Sequence, residues 1–415
     1  MNGMMKRNIL IIGAGGVAHV AAHKCAQSID QFGQINIASR RIEKCHKLIA
    51  SIVEKQGESI RQRLTAHTIE ATNTDALAEL IKHTMSSIVI NLGTAFVNLS
   101  VLKACINTGA AYIDAAVHED PTKSDEAPPW YANYEWKFKD LCKNHGITAI
   151  LGAGFDPGVV NAYAALAQQE YFDTIESIDI LDVNAGSHGR YFATNFDPEI
   201  NFREFIKTVW NWQNNTWVAD KMFQTKKTYD FPQVGSHELY LSGHDEIHSL
   251  SQHLNVPNIR FWMGFSDHYI NVFTVLKNLG LLSIHPIKTA EGYEIVPLQF
   301  VKSILPDPAS LAKNYTGKTC IGNHIVGVKD KIKKELFIYN IASHESSYQD
   351  VGSQAISFTA GVPAAAAALL IAENVWDVRQ MVNIENLPPK PFIKKIAELG
   401  LETFVRDEQG RDTKI

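Results

Sequence analysis

Ile9-Leu10-Ile11-Ile12-Gly13-Ala14-Gly15-Gly16-Val17-Ala18 decides how this chain is read. The apolar run at its start is the pattern of a parallel strand buried on both faces. The residues after it fit G-x-G-x-x-G/A, the turn joining the first strand and helix of a dinucleotide-binding βαβ unit. Gly13 permits the tight exit from the strand, and Gly15 lets the backbone approach a pyrophosphate. Gly16 and Val17 open the helix whose free N–H groups would face the phosphates, and Ala18 keeps that helix close to the sheet. The flanks agree, since 19–28 has a helical pattern and 34–38 reads as the next strand.

The end of the second strand selects the dinucleotide. An NAD site usually carries Asp or Glu there for the ribose 2′-hydroxyl, whereas an NADP site offers Arg to the 2′-phosphate. This chain has Ser39-Arg40-Arg41 and no carboxylate before Glu43. A hydroxyl and two guanidinium groups suit a dianionic phosphate. The competing reading makes Arg40 and Arg41 solvated residues opening a surface helix, but their position is the one the fingerprint assigns to the ribose. The expected cofactor is NADP(H).

With 415 residues, two domains are the default. An apolar content of 45% and a charged content of 20% fit a globular protein, and a net charge of −5 argues against nucleic acid as a partner. Cys25, Cys45, Cys105, Cys142 and Cys320 are scattered without C-x-x-C spacing, as in reduced cytoplasmic proteins rather than disulfide or zinc scaffolds. Neither a signal peptide nor a stretch of membrane-spanning length is expected, with 364–372 read as a short apolar helix core.

The first part alternates strand and helix: strands at 66–71, 87–92, 111–115 and 147–151, helices at 43–54, from 76, and at 97–107, and a Pro-rich acidic loop at 118–130. Beyond Phe155 the pattern changes. Strands are expected at 175–183, 216–219 and 268–275, and helices at 236–253 and 297–305. A return to helix follows 352, with Pro363 in the first turn of an alanine-rich helix. The fold class is therefore α/β: a Rossmann-type doubly wound parallel sheet with a second α+β domain for substrate and dimerisation. The cofactor domain is expected to be discontinuous, from 5–155 plus 352–415, around a central domain at 156–351.

Five stretches together resemble the saccharopine dehydrogenase-like reductases: the glycine turn, Ala38-Ser-Arg-Arg41, Gly109-Ala-Ala-Tyr-Ile-Asp114, Gly154-Phe-Asp-Pro-Gly158 and Thr359-Ala-Gly-Val-Pro363. Asn184-Ala-Gly-Ser-His-Gly189, Thr194 to Glu204 and His244 to Leu250 most resemble the carboxynorspermidine (carboxyspermidine) dehydrogenases. The resemblance implies NADPH-dependent reduction of the imine between L-aspartate β-semialdehyde and 1,3-diaminopropane or putrescine. It also implies a homodimer. A saccharopine- or homospermidine-forming reductase is the alternative enzyme, and a non-catalytic NADP(H) sensor the alternative class.

Reducing an imine asks little of the protein beyond placing the nicotinamide and managing protons. In open α/β sheets ligands bind beyond the carboxyl ends of the strands. Asp75, Asn91, Gly93, Thr94 and Asp114 stand at such ends and are expected to line the cofactor. His118, Glu119 and Asp156 are the candidate proton-transfer groups. Phe155, Pro157 and Gly158 could form a substrate floor, although a simple capped turn explains the same residues. The implied substrate needs Arg for its carboxylate and acids for its amines. Arg203 is the expected clamp, with Arg190 and Arg260 in reserve. Asn195 and Glu204 are expected beside the substrate, and Asp245 and Glu246 could hold ammonium groups. His244-Asp-Glu-Ile-His248 is not H-E-x-x-H, so no metal is expected.

Overall fold

Ile9 and Ile11 pack on one side of the first strand and Leu10 and Ile12 on the other, and all four are buried. That is why the run has no polar alternation: helices cover both faces of the sheet it belongs to. The computed structural model describes residues 6–415, so residue 5, the expected start of the cofactor unit, lies outside it.

The strands in chain order begin with β1 (Arg7–Ile12), β2 (Phe32–Ser39), β3 (Leu64–Thr68), β4 (Ser86–Asn91), β5 (Ala111–Ile113) and β6 (Ala149–Leu151). There follow β7 (Thr174–Asn184), β8 (Val209–Gln213), β9 (Thr216–Asp220), β10 (Lys226–Phe231), β11 (Gly235–Ser242) and β12 (Ile259–Gly264). The small hairpin of β13 (Ile287–Lys288) and β14 (Glu294–Ile295) precedes β15 (Lys318–Lys329) and β16 (Ile332–Ser343). The chain ends with β17 (Met381–Asn383), β18 (Phe404–Arg406) and β19 (Asp412–Lys414).

A seven-stranded parallel sheet has the order β17-β6-β5-β4-β1-β2-β3, so the direction in which strands are added reverses between β1 and β4. The glycine turn leaves the sheet at that switch point, where doubly wound folds bind dinucleotides. A second, mixed sheet runs β10-β11-β12-β7-β15-β16-β18-β19, with β8 and β9 attached to β12. Among the described residues its one parallel pair is β12 with β7. The fold class is the expected one.

Several elements differ from the sequence reading. Residues 268–275 are rich in β-formers yet lie in the helix Asp267–Asn278, because Tyr269, Phe273 and Leu276 recur at helical spacing and face one apolar cluster. Ser266 caps that helix. The expected helix at 236–253 is half strand: β11 pairs with β10 and β12 before Gly243, and only Glu246–His253 is helical. Pro363 is interior to the helix Ala355–Ala372, which starts earlier because the Gln354 side chain accepts from Ile356 N–H at 2.6 Å. That helix is long and apolar enough to cross a membrane by length and composition, contrary to expectation, but it is buried in the fold. A Cβ on its Gly361 would lie 2.6 Å from Val20 Cβ, so the helix crosses Gly16–Gln27 at close range. Finally, β17 extends the parallel sheet but β18 and β19 extend the mixed one, so the chain beyond residue 403 falls outside the cofactor unit expected for 352–415.

Candidate active site

The glycine turn is built around three different demands. Gly13 has φ +113°, and a Cβ there would stand 2.3 Å from Leu92 O. Gly16 is crowded by Ser357, whose Oγ would be 2.5 Å from an added Cβ. Gly15 meets nothing within 4 Å. It caps the helix Gly16–Gln27 without a side-chain hydrogen bond, and the first turn carries no acid. Open space before uncapped N–H groups and a positive helix end is what a pyrophosphate requires. At the end of β2, Ser39 Oγ accepts from Arg41 N–H at 3.1 Å, turning the chain so that Arg40 and Arg41 reach solvent. Among the described residues neither forms an ion pair, and the residues therefore fit a 2′-phosphate.

The other expected cofactor contacts divide. Gly93 and Thr94 sit in the loop after β4, accessible beside the glycine turn, and Asp75 is exposed in the first turn of Thr74–His83. Asn91 and Asp114 face inward instead, which corrects their expected role. Asn91 donates to Asn98 at 2.8 Å and accepts from Gly93 N–H, fixing the loop. Asp114 is fully buried and accepts from Gly152 N–H at 2.7 Å, tying β5 to β6. Burial pushes its carboxyl up to about 7. Below it, buried Glu135 accepts from His118 N–H at 2.6 Å and from Asn98, and burial with Asp114 nearby raises its pKa to about 8.

After β6, Gly158 has φ +140°, and a Cβ would overlap Gly154 O. The tight loop drives Phe155 into the core and leaves Asp156 at the rim. Phe155 is thus a packing residue and buried Pro157 part of the loop frame, a correction to their reading as a substrate floor. Asp156 faces an acidic group assembled from the second domain: Asp182 from β7, Glu204 from the helix Pro198–Ile206, and Asp245 and Glu246 beside His244. His244 Nδ1 lies 2.5 Å from Glu246 Oε2 and its Nε2 lies 3.3 Å from Glu204 Oε1, while its ring stacks on Phe261. Asp245 Oδ2 accepts from Val117 N–H at 2.8 Å, joining this group to the segment after β5. Burial raises Asp156 well above the carboxylate range, brings Asp182 and Glu204 up to about 7, and brings Asp245 to about 6. Burial also works against charge on His244, but Glu246, Glu204 and Asp156 outweigh it and raise the imidazole pKa.

The expected carboxylate clamp is committed elsewhere. Arg203 is 1% exposed, and its guanidinium donates to Glu119, Asp120 O, Pro121 O and Lys123 O. Glu119 also accepts from Lys207 at 2.7 Å, so it is an ion-pair partner, not a free acid or base. Of the reserves, Arg260 pairs with Asp179 at 2.6 and 3.1 Å, whereas Arg190 is exposed and, among the described residues, without an ion pair. Asn195 accepts from Tyr315 OH, and its carbonyl accepts from Gln354, which sets its loop against Ser357 and the glycine turn. His118 Nδ1 bonds Ala95 O at 3.0 Å, and burial lowers its pKa. His244 and Asp182 were not among the expected site residues. The His-Asp-Glu run was a visible signal for the first; a single acid in an apolar strand was none for the second.

Residues 9–150 match the saccharopine dehydrogenase NADP binding domain, and residues 154–401 match the saccharopine dehydrogenase C-terminal domain. The chain belongs to the saccharopine dehydrogenase family. Carboxynorspermidine synthase of Vibrio alginolyticus is 43% identical over 96% of this chain and 97% of its own length. Its counterpart in Vibrio cholerae is 43% identical over 95% of each. Carboxyaminopropylagmatine dehydrogenase of Synechocystis is 38% identical over 95% of this chain and 96% of its own. Apo saccharopine dehydrogenase (L-Glu forming) from Saccharomyces cerevisiae shares the fold, with TM-score 0.69 at 13% identity, covering 99% of this chain and 100% of that one. As a family member the chain is an NADP-dependent oxidoreductase, and the glycine turn with Ser39, Arg40 and Arg41 is the part that fits NADP(H).

Proposed function

We propose that this reductase converts the imine of L-aspartate β-semialdehyde and 1,3-diaminopropane or putrescine to carboxynorspermidine or carboxyspermidine, a step of polyamine biosynthesis. The observation that carries the reading is the acidic group around His244. Five carboxylates (Asp156, Asp182, Glu204, Asp245, Glu246) surround one imidazole at the carboxyl edge of the parallel sheet. Buried like charges with a single counter-cation are unfavourable until another cation enters. A diamine supplies it. The names of the two Vibrio relatives support the same product.

NADPH, when bound, supplies the hydride. The chain's own residues hold and protonate. Asp182, Glu204 and Asp245 would seat the distal ammonium. His244, kept protonated by Glu246, would donate from Nε2 to the hydroxyl leaving the carbinolamine. Arg190 takes over as the anchor of the amino-acid carboxylate, since Arg203 and Arg260 are already paired. The reading also takes the enzyme to be a cytoplasmic homodimer. The Synechocystis relative's name favours a second reading in which agmatine is the amine. NADPH oxidation with aspartate semialdehyde, alone or with 1,3-diaminopropane, putrescine or agmatine, tests both. Turnover should require an amine, and the amine with the highest kcat/KM decides between them. Amine-independent oxidation would overturn the proposal.

A further inference from the structure

We infer that Arg203 is a positioning residue: it holds the 117–123 segment of the cofactor domain against the helix Pro198–Ile206 and thereby assembles the amine site. An arginine 1% exposed is tolerated only when its donors are satisfied. Here Nε reaches Glu119 at 3.2 Å, Nη1 reaches Pro121 O at 3.4 Å, and Nη2 reaches Asp120 O at 3.0 Å and Lys123 O at 2.6 Å. Its other side lies over the Phe96 ring, with Cζ 5.1 Å from the centroid, so the loops after β4 and β5 meet on one guanidinium. The planar fork suits three carbonyls and a carboxylate at once, which a single ammonium does not.

Two links carry this order into the acidic group. Glu204, the next residue on the same helix, faces His244 Nε2. At the start of the held segment, Val117 N–H bonds Asp245 Oδ2. Arg203 therefore sets the spacing between Glu204 and Asp245 without touching substrate. Displacing such a frame by an ångström costs on the order of 10²-fold in substrate handling. Among the described residues none of the hydrogen bonds of Arg203 reaches the glycine turn.

The kinetic half of this inference rests on the proposed function; the structural half does not. Arg203→Lys, which keeps the charge, and Arg203→Ala would be compared with wild type by amide hydrogen exchange over 117–125 and by steady-state kinetics. Both variants should lose protection in that segment, and the KM for the amine should rise on the order of 10-fold or more. NADPH affinity, read by fluorescence titration, should be unchanged. Added guanidinium should restore protection and amine KM in Arg203→Ala. Unaltered exchange would overturn the inference, and so would a rise confined to the KM of the semialdehyde, which would make Arg203 a direct carboxylate ligand. If wild type fails to use any amine, the proposed function falls while the exchange arm still decides the role of Arg203. Should Arg203→Ala not fold, the lysine variant carries both measurements.

Discussion

His244 Nδ1 and Glu246 Oε2 are 2.5 Å apart, with the Glu246 side chain wholly buried. A carboxylate held that close stabilises the imidazolium and aims the opposite nitrogen, Nε2, toward Glu204. Glu246→Gln removes that charge, so the His244 pKa should fall. If His244 is the proton donor, the alkaline limb of the kcat profile then moves to lower pH. His244→Gln should lower kcat by about 10²–10⁴-fold. An unmoved alkaline limb would assign the proton to another group.

Amine binding should be coupled to proton release. Burial pushes the Asp182 and Glu204 carboxyls up to about 7, and an ammonium beside them stabilises their ionised forms. The amine KM should therefore fall as pH rises through 6 to 7, the range set by Asp245, Asp182 and Glu204. Isothermal titration in buffers of different ionisation heat would count the released protons. Uptake in place of release would contradict this assignment.

Glu135 offers a stability test with the opposite origin. Burial raises its pKa from 4.5 to about 8, so the folded state binds a proton that the unfolded state has already lost. Stability from this group is present below 4.5 and is lost as pH rises through 8. Glu135→Gln cannot ionise, so its Tm relative to wild type should improve steadily across that interval. A constant Tm difference would mean that Glu135 is not the titrating group.

The glycines should separate folding from binding. Gly13→Ala forces a Cβ onto Leu92 O at positive φ and should lower Tm. Gly15→Ala meets open space, so Tm should hold while NADPH affinity drops because the methyl occupies the phosphate approach. Equal effects on both properties in both variants would contradict the assignment of the turn.

At the ribose end, replacing Arg40 and Arg41 by Ala should cost about 1.5–3 kcal/mol of NADPH binding for each charge-assisted pair lost. NADH binding should barely change. Fluorescence titration of both cofactors checks this, and equal losses would remove the 2′-phosphate from this position.

The cofactor end was legible because its signals are local. A buried strand, a glycine turn and a basic strand end lie within one βαβ unit, and backbone sterics assign each residue its task with little help from elsewhere. Helix and strand in the central domain were less legible, since 236–242 and 268–275 owe their state to β10, β12 and the Phe273 cluster. Arg203 shows the same limit at the level of a side chain. Its charge and neighbourhood in sequence suggested an anion clamp, but Glu119 and three carbonyls, some eighty residues earlier in the chain, claim its donors.

The sequence by itself determined a Rossmann-type sheet, its NADP(H) end and the kinship to the saccharopine dehydrogenase family, because these rest on short-range patterns of apolar spacing, glycine and charge. Only the tertiary structure decided which acids meet. Asp156, Asp182, Glu204 and Glu246 come from four separate segments, and the raised pKa values of the first three, like the pairing of Arg203, arise from burial and proximity that no linear spacing encodes.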